Sequence, residues 1–299
     1  MAKQLFYLPW WFARARFMGR RRPLQTVLFI SDRCNLQCKH CSVYNLANPV
    51  SKTAAQIREE LEYSYRLGSR FVDFEGGEPM LWRDGELRIN DLIRMAKEIG
   101  FFSTTVTTNA QMPFEGCEAD SIWVSLDGYG EHHDFIRGKG TFARLEENVE
   151  KCHHPNVSFN MVINSENYGS VRQTIEYANN NPAIRAISLN FHTPYAGTEY
   201  LFLDWPLRVA VIDEIIQMKR AGYPIINSVS GLKLMKHNRF SKQCWVSNFI
   251  LADGTRLAEC PGSLEKGICE QCGFGMAGEM HSVFTLRPDT ILAGMKLRM

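Results

Sequence analysis

The sequence predicts an α/β fold, a partial (β/α)6 barrel with a small C-terminal cysteine-rich hairpin module. Three observations predict it. From about residue 24 to 228, apolar β-branched runs alternate with amphipathic segments, the pattern of βαβ units on a parallel sheet. Six strand candidates fall in that stretch, too few to close an eight-fold barrel. Residues 244–283 then change character and carry four of the nine cysteines.

The elements follow in order, over three expected units: 1–23, 24–228 and 229–299. The first is aromatic and basic: Leu5-Phe-Tyr-Leu-Pro-Trp-Trp-Phe12, then Arg14, Arg16, Arg20, Arg21 and Arg22. We read it as a leading helix that closes the barrel bottom with its tryptophans buried. A short basic amphipathic segment also suits an anionic membrane surface, so peripheral membrane contact through residues 1–22 is the alternative. Strands are expected at 26–31, 70–75, 102–108, 121–126, 156–163 and 185–192. Helices are expected at 53–67, 87–99, 141–152, 168–180 and 205–221. A strand buried on both faces is usually apolar throughout. Here Asp73 and Glu75, Ser158 and Asn160, and Ser188, Asn190 and His192 each share one face of a strand, which predicts a lumen lined for ligands. Catalytic residues of such folds gather at the C-terminal strand ends. In the third unit, Val246 to Ala252 alternates, Asp253-Gly254 signals a tight turn, and Thr255 to Glu259 returns.

Whole-chain properties narrow the function. Apolar residues make up 45%, enough for a sizeable core, and a formal net charge of +2 calls for no nucleic acid. The stretch Leu5 to Ala13 is short, broken by Pro9 and followed by arginines, unlike a signal peptide; no run is long enough to span a bilayer. A cytoplasmic setting is therefore expected, where clustered thiols mean metal rather than disulfides.

The first cluster is Cys34-Asn-Leu-Gln-Cys38-Lys-His-Cys41, on the loop after the first strand. Three thiolates can hold three irons of a cubane and leave the fourth open for chemistry; zinc would want a fourth ligand. Gly76-Gly77-Glu78-Pro79 follows the second strand, where glycines allow close approach and a carboxylate can pair with an ammonium. Ser125-Leu-Asp127-Gly128 ends the fourth strand, and Arg137 comes ten residues after Asp127.

On these residues the chain resembles the radical S-adenosylmethionine (AdoMet) enzyme superfamily, over roughly residues 24–228. The resemblance implies a 4Fe-4S cluster on Cys34, Cys38 and Cys41 whose open iron binds AdoMet. It implies reductive cleavage to a 5'-deoxyadenosyl radical that takes a hydrogen atom from an unactivated C–H bond. It places His40 beside the adenine and Gly76, Gly77 and Glu78 at the methionyl amino group. Ser125, Asp127 and Arg137 would lie at the AdoMet carboxylate and ribose, with Asn160 as a further cofactor contact. A reductant such as flavodoxin or ferredoxin is implied as partner.

Cys244, Cys260, Cys269 and Cys272 supply four thiolates, enough to close a second cluster or to bind one zinc. With Gly254 before Cys260 they resemble the SPASM/twitch extensions that carry an auxiliary 4Fe-4S cluster. No cysteine follows Cys272, so one auxiliary cluster is expected, with zinc as the alternative. Cys117 and Cys152 read as packing residues. Tyr195 and His192, at the end of the sixth strand, are the candidate catalytic or substrate contacts. For substrate, a small metabolite or natural-product intermediate leads, since the chain leaves no room for a peptide-recognition domain before residue 24. A peptide is second, and a membrane lipid third. A zinc-stapled binding scaffold without AdoMet chemistry is the non-enzymatic alternative.

Overall fold

The computed structural model describes residues 2–41 and 48–298, with side chains for 6–41 and 48–295. Its strands are β1 (Gln25–Ser31), β2 (Phe71–Gly76), β3 (Ser103–Thr108), β4 (Ser121–Ser125), β5 (Val157–Ile163), β6 (Ala186–Phe191), β7 (Ser247–Ile250) and β8 (Arg256–Leu257). Its helices are α1 (Ala2–Phe17), α2 (Ala54–Leu67), α3 (Ile89–Ile99), α4 (Glu131–Arg137), α5 (Thr141–Lys151), α6 (Val171–Asn180), α7 (Trp205–Arg220), α8 (Val229–Met235), α9 (Gly275–Phe284) and α10 (Pro288–Arg298). The six expected barrel strands are present in order, each within a residue of its expected bounds. They form one sheet, β6-β5-β4-β3-β2-β1-β7-β8, in which every neighbouring pair is parallel except β7 and β8. The sheet is curved but open, a partial barrel.

Local sequence explains the elements. Thr53 caps α2 in a capping box with Gln56, and Gly68 ends it at φ +125°. In α3, Ile89, Leu92, Ile93 and Ala96 recur at helical spacing and are buried against the sheet. Burial of each such Leu or Ile contributes about 1.5–3 kcal/mol. Strand alternation places Ile187, Leu189 and Phe191 in the core and leaves Ser188 and Asn190 half-buried toward the lumen. The helix expected at 168–180 opens with a 3-10 turn, Tyr168–Ser170. Asn164 and Asn167 exchange side-chain-to-backbone bonds there, which compete with regular helix.

The C-terminal hairpin is part of the same sheet. β7 pairs in parallel with β1, from Gln25 opposite Ser247 to Leu28 opposite Ile250. β1 is apolar on both faces and needs a neighbour on each edge. Gly254, at φ +91°, makes the turn, and Asp253 accepts the Thr255 N–H. α1 lies across the N-terminal ends of the strands. Trp11 is buried against Trp245 and Phe284 and donates to the Arg22 carbonyl, while Tyr7 donates to the Gly68 carbonyl and abuts Phe102. Trp10, on the next face, is half exposed, with Arg14 over its ring. Among the described residues no helix is long and apolar enough to cross a membrane.

Candidate functional site

The C-terminal ends of β1 to β4 bring the first set of predicted residues together. Gly77 N–H donates to the Ser31 carbonyl (2.7 Å) and Glu78 N–H to the Arg33 carbonyl (2.8 Å), so the Gly-Gly-Glu turn is laced to the start of the cysteine loop. A Cβ at Gly77 would run into the Arg33 carbonyl oxygen, and one at Gly76 (φ +141°) into that of Ser31. The glycines are therefore required by loop-to-loop contact, whatever else they approach. Glu78 is buried. It accepts from Met80 N–H (3.0 Å), the Thr108 hydroxyl (2.7 Å) and Asn109 N–H (2.7 Å), joining β2 to the end of β3.

Cys38 is buried, and Cys34 and Cys41 are half-buried. Burial raises the Cys34 thiol, with Glu78 and Cys41 adding to the rise, and pushes that of Cys38 up to about 11, with Cys41, Asp127 and Cys34 adding to it; Arg137 pulls both down. Donors reach two of the sulfurs: Arg137 Nη1 lies 3.9 Å from Cys38 Sγ, while Asn109 Nδ2 (3.7 Å) and the Leu36 N–H (3.4 Å) point at Cys34 Sγ. Asn109, at the end of β3, did not stand out in the sequence; its position at a C-terminal strand end was the available signal.

Asp127, fully buried, holds Arg137 through Nε (2.6 Å) and lies 3.5 Å from His40 Nε2. Its other oxygen accepts Val162 N–H (2.9 Å), and its own N–H donates to His133 Nδ1 (3.1 Å). Burial favours the protonated acid, but Arg137 and His40 hold the Asp127 carboxyl below its ordinary range. Burial drives His40 down to about 4 and His133 down to about 3, so both are neutral at pH 7. Asp127 thus stands behind Arg137 and aims it. A cavity of about 130 Å³ opens among Cys34, Cys38, Cys41, His40, Gly76, Gly77, Ser125 and Arg137. Glu75 also lines it, bonded to Thr107; burial, with the neighbouring Asp73 charge, pushes its carboxyl up to about 7. A larger, open depression of about 430 Å³, lined by Arg33, Lys52, Arg83 and Arg88, holds none of the predicted site residues.

Asn160, level with Ser125 on the neighbouring strand, is not in the lining of the cysteine-loop cavity. Its Oδ1 accepts from Asn190 Nδ2 (2.7 Å), and Asn190 Oδ1 accepts the N–H of Gly275 (2.8 Å), tying the lumen to α9. The C-terminal thiols form a second group. Burial raises Cys244 to about 12 and also raises Cys260 and Cys272, each feeling other members of the quartet. The group is docked on β6: Phe191 N–H donates to the Gly273 carbonyl, and Gly273 N–H to the Thr193 hydroxyl. Tyr195 faces this group, its hydroxyl bonded to Cys260, and burial raises its pKa. His192 is buried, its Nε2 3.0 Å from Thr198, with its ring edge-on to His40 at 6.5 Å. The two residues of the β6 end therefore look in different directions, His192 toward the first site and Tyr195 toward the second. Arg208, overlooked in the sequence, is buried beside Cys272. Among the described residues no three or more His, Cys, Asp or Glu side chains converge as ligands of one metal ion.

A family model described as the radical SAM superfamily matches residues 28–178. The chain belongs to the radical SAM superfamily. Among curated proteins it is similar to a pre-heme d1 synthase of Dinoroseobacter shibae, 32% identical over 143 residues, 45% of this chain and 35% of that protein. It is also similar to a PqqA peptide cyclase of Xanthomonas oryzae pv. oryzae, 33% identical over 95 residues, 29% of this chain and 23% of that protein. The matches thus span 35% or less of these relatives' lengths. Among solved structures, Streptococcus suis SuiB bound to S-adenosylmethionine superposes with a TM-score of 0.66 at 17% identity, over 92% of this chain and 68% of that one. anSMEcpe with bound AdoMet and Kp18Cys peptide superposes with a TM-score of 0.60 at 13% identity, over 90% and 81%. These likenesses place the fold.

Proposed function

We propose that the chain binds a 4Fe-4S cluster through Cys34, Cys38 and Cys41, binds AdoMet beside it, and abstracts hydrogen from a substrate in the lumen. One observation carries the proposal: the three-cysteine loop is hydrogen-bonded to the Gly76-Gly77-Glu78 turn, and its three thiols, the two glycines, Asn109 and the Arg137 guanidinium line one cavity, with the Glu78 carboxylate buried at that turn. The donor set fits the cluster, with soft thiolates for iron and N–H donors at two of the sulfurs. When bound, such a cluster supplies the electron that splits the AdoMet C–S bond to a 5'-deoxyadenosyl radical.

The chain's own residues bind and orient. Glu78, with three backbone and hydroxyl donors on it, keeps its carboxylate fixed for the AdoMet ammonium. Arg137, aimed by Asp127, offers its remaining N–H groups to the AdoMet carboxylate, and neutral His40 stacks beside the adenine. Ser125 lines the same cavity as a hydroxyl contact, and Asn160, bonded to Asn190, is a further polar contact in the lumen. The C-terminal part, residues 229–299, is a SPASM/twitch-like module whose Cys244, Cys260, Cys269 and Cys272 hold one auxiliary cluster. Tyr195 orients that centre and His192 supports His40. Residues 1–23 cover the barrel bottom. A flavodoxin or ferredoxin supplies electrons.

For substrate we propose a small metabolite or natural-product intermediate; the similarity to a pre-heme d1 synthase supports it. A peptide is the second reading, supported by the similarity to a PqqA peptide cyclase. The test is anaerobic reconstitution followed by reduction with AdoMet present. Release of 5'-deoxyadenosine, abolished by Cys34→Ala, Cys38→Ala or Cys41→Ala, is expected. Zinc without iron, or release that survives these substitutions, refutes the proposal.

A further inference from the structure

We propose that Arg208 is a built-in counter-charge for the C-terminal metal centre, which stabilises an anionic tetrathiolate cluster and raises its reduction potential. This rests on the reading of Cys244, Cys260, Cys269 and Cys272 as cluster ligands. Arg208 lies in the first turn of α7 and is fully buried. Its guanidinium carbon stands 4.6 Å from the Phe191 ring centroid and 4.9 Å from that of Trp205. Nη2 donates to the Cys272 carbonyl (3.0 Å). Nε and Nη1 have no partner among the described residues, and no carboxylate there pairs with the guanidinium.

An arginine is always charged, and a buried charge without a counter-ion is among the costliest features a fold can hold. The group that faces it electrostatically is Cys272. Four thiolates around an iron–sulfur core leave the centre net negative, so the missing counter-ion is the centre itself. The neighbouring bonds are organised for the same purpose. Tyr195 donates to Cys260, and Asn238 Nδ2 holds the carbonyls of Cys269 (3.2 Å) and Glu270 (2.8 Å). Lys242 also faces Cys272 and pulls its thiol down more than Arg208 does, but it is only partly buried and open to water, where Arg208 is enclosed. A fixed cation favours the more negative, reduced form of a cluster, and burial amplifies the effect. Arg208 is thus a positioning and tuning residue: it keeps the second centre reducible, suited to accept an electron from the lumen.

The test uses full-length protein with Cys34, Cys38 and Cys41 replaced by Ala, so that only the C-terminal centre remains. The probe is a redox titration followed by electron paramagnetic resonance. At the parent protein's midpoint, Arg208→Met is expected to lower the reduced-to-oxidised ratio about tenfold, or ~59 mV for one electron. Arg208→Lys keeps the charge and is expected to stay within about twofold of the parent. Loss of iron in Arg208→Met but not in Arg208→Lys also supports the proposal. Unchanged potentials in Arg208→Met, equal shifts in both variants, or equal loss of iron in both overturn it, because shape rather than charge would then be at work. A parent protein with zinc at the quartet overturns the cluster reading and this inference with it.

Discussion

Replacing Asp127 by Asn tests the inner layer of the site without changing its shape. Asp127 is fully buried and its partner Arg137 is 9% exposed, so the substitution leaves a guanidinium in the interior without its counter-ion. Breaking a buried pair on one side costs about 3–5 kcal/mol. Geometry adds a second reason: the two oxygens accept from Arg137 Nε at 2.6 Å and Val162 N–H at 2.9 Å, and an amide can offer only one acceptor. With a urea slope of about 3 kcal/mol per M, the midpoint of the iron-free protein should fall by about 1–1.7 M. Because the carboxyl is held below its unfolded value of 3.8, the difference from wild type is complete at pH 5–7 and is lost as pH falls below that value. Adding Arg137→Met should recover part of the loss, a coupling of about 2 kcal/mol in a double-mutant cycle. A cost under about 1 kcal/mol for Asp127→Asn, or strict additivity, would refute the counter-ion argument.

Two further predictions follow from the same cavity. Glu75 has its carboxyl raised to about 7 from 4.5, so between those values the folded protein binds more protons than the unfolded chain and loses stability as pH rises. Glu75→Gln should therefore match wild type near pH 4.5 and exceed it at pH 8 in thermal melts of the iron-free protein; a constant difference across that range counts against this. Gly77→Ala should separate the Gly-Gly-Glu turn from the cysteine loop, since its Cβ meets the Arg33 carbonyl. We expect a cost of about 1–3 kcal/mol and weaker iron retention after desalting; undiminished iron content would show that the loop contact is dispensable.

The barrel was legible because its code is local. Runs such as Val72-Asp-Phe-Glu75 alternate, and Ile89, Leu92, Ile93 and Ala96 recur at helical spacing, so each element declares its type and its buried face. The cysteine loop, the Gly-Gly-Glu turn and Arg137 were legible as motifs, and the fold brings them into one cavity. Asp127 was found as a motif member, but its posture behind Arg137 depends on α4 folding back, which no short stretch encodes. The pairing of β7 with β1 joins positions over 200 residues apart and could not be read from the hairpin alone. Arg208 sits in an amphipathic helix where arginine usually means solvent; only the packing of Phe191, Trp205 and Cys272 around it shows otherwise. Tyr195 was noticed for its place at a strand end, yet its direction shows only in the packing, where its hydroxyl reaches Cys260 beside Gly262.

The central claim is that Cys34, Cys38 and Cys41 leave one iron of their cluster open to AdoMet. Electron paramagnetic resonance of the reduced protein, with Cys244, Cys260, Cys269 and Cys272 replaced by Ala, tests it most directly. The account predicts a single cubane signal whose g values shift when AdoMet is added. A signal unmoved by saturating AdoMet, in protein that holds its full complement of iron, contradicts it.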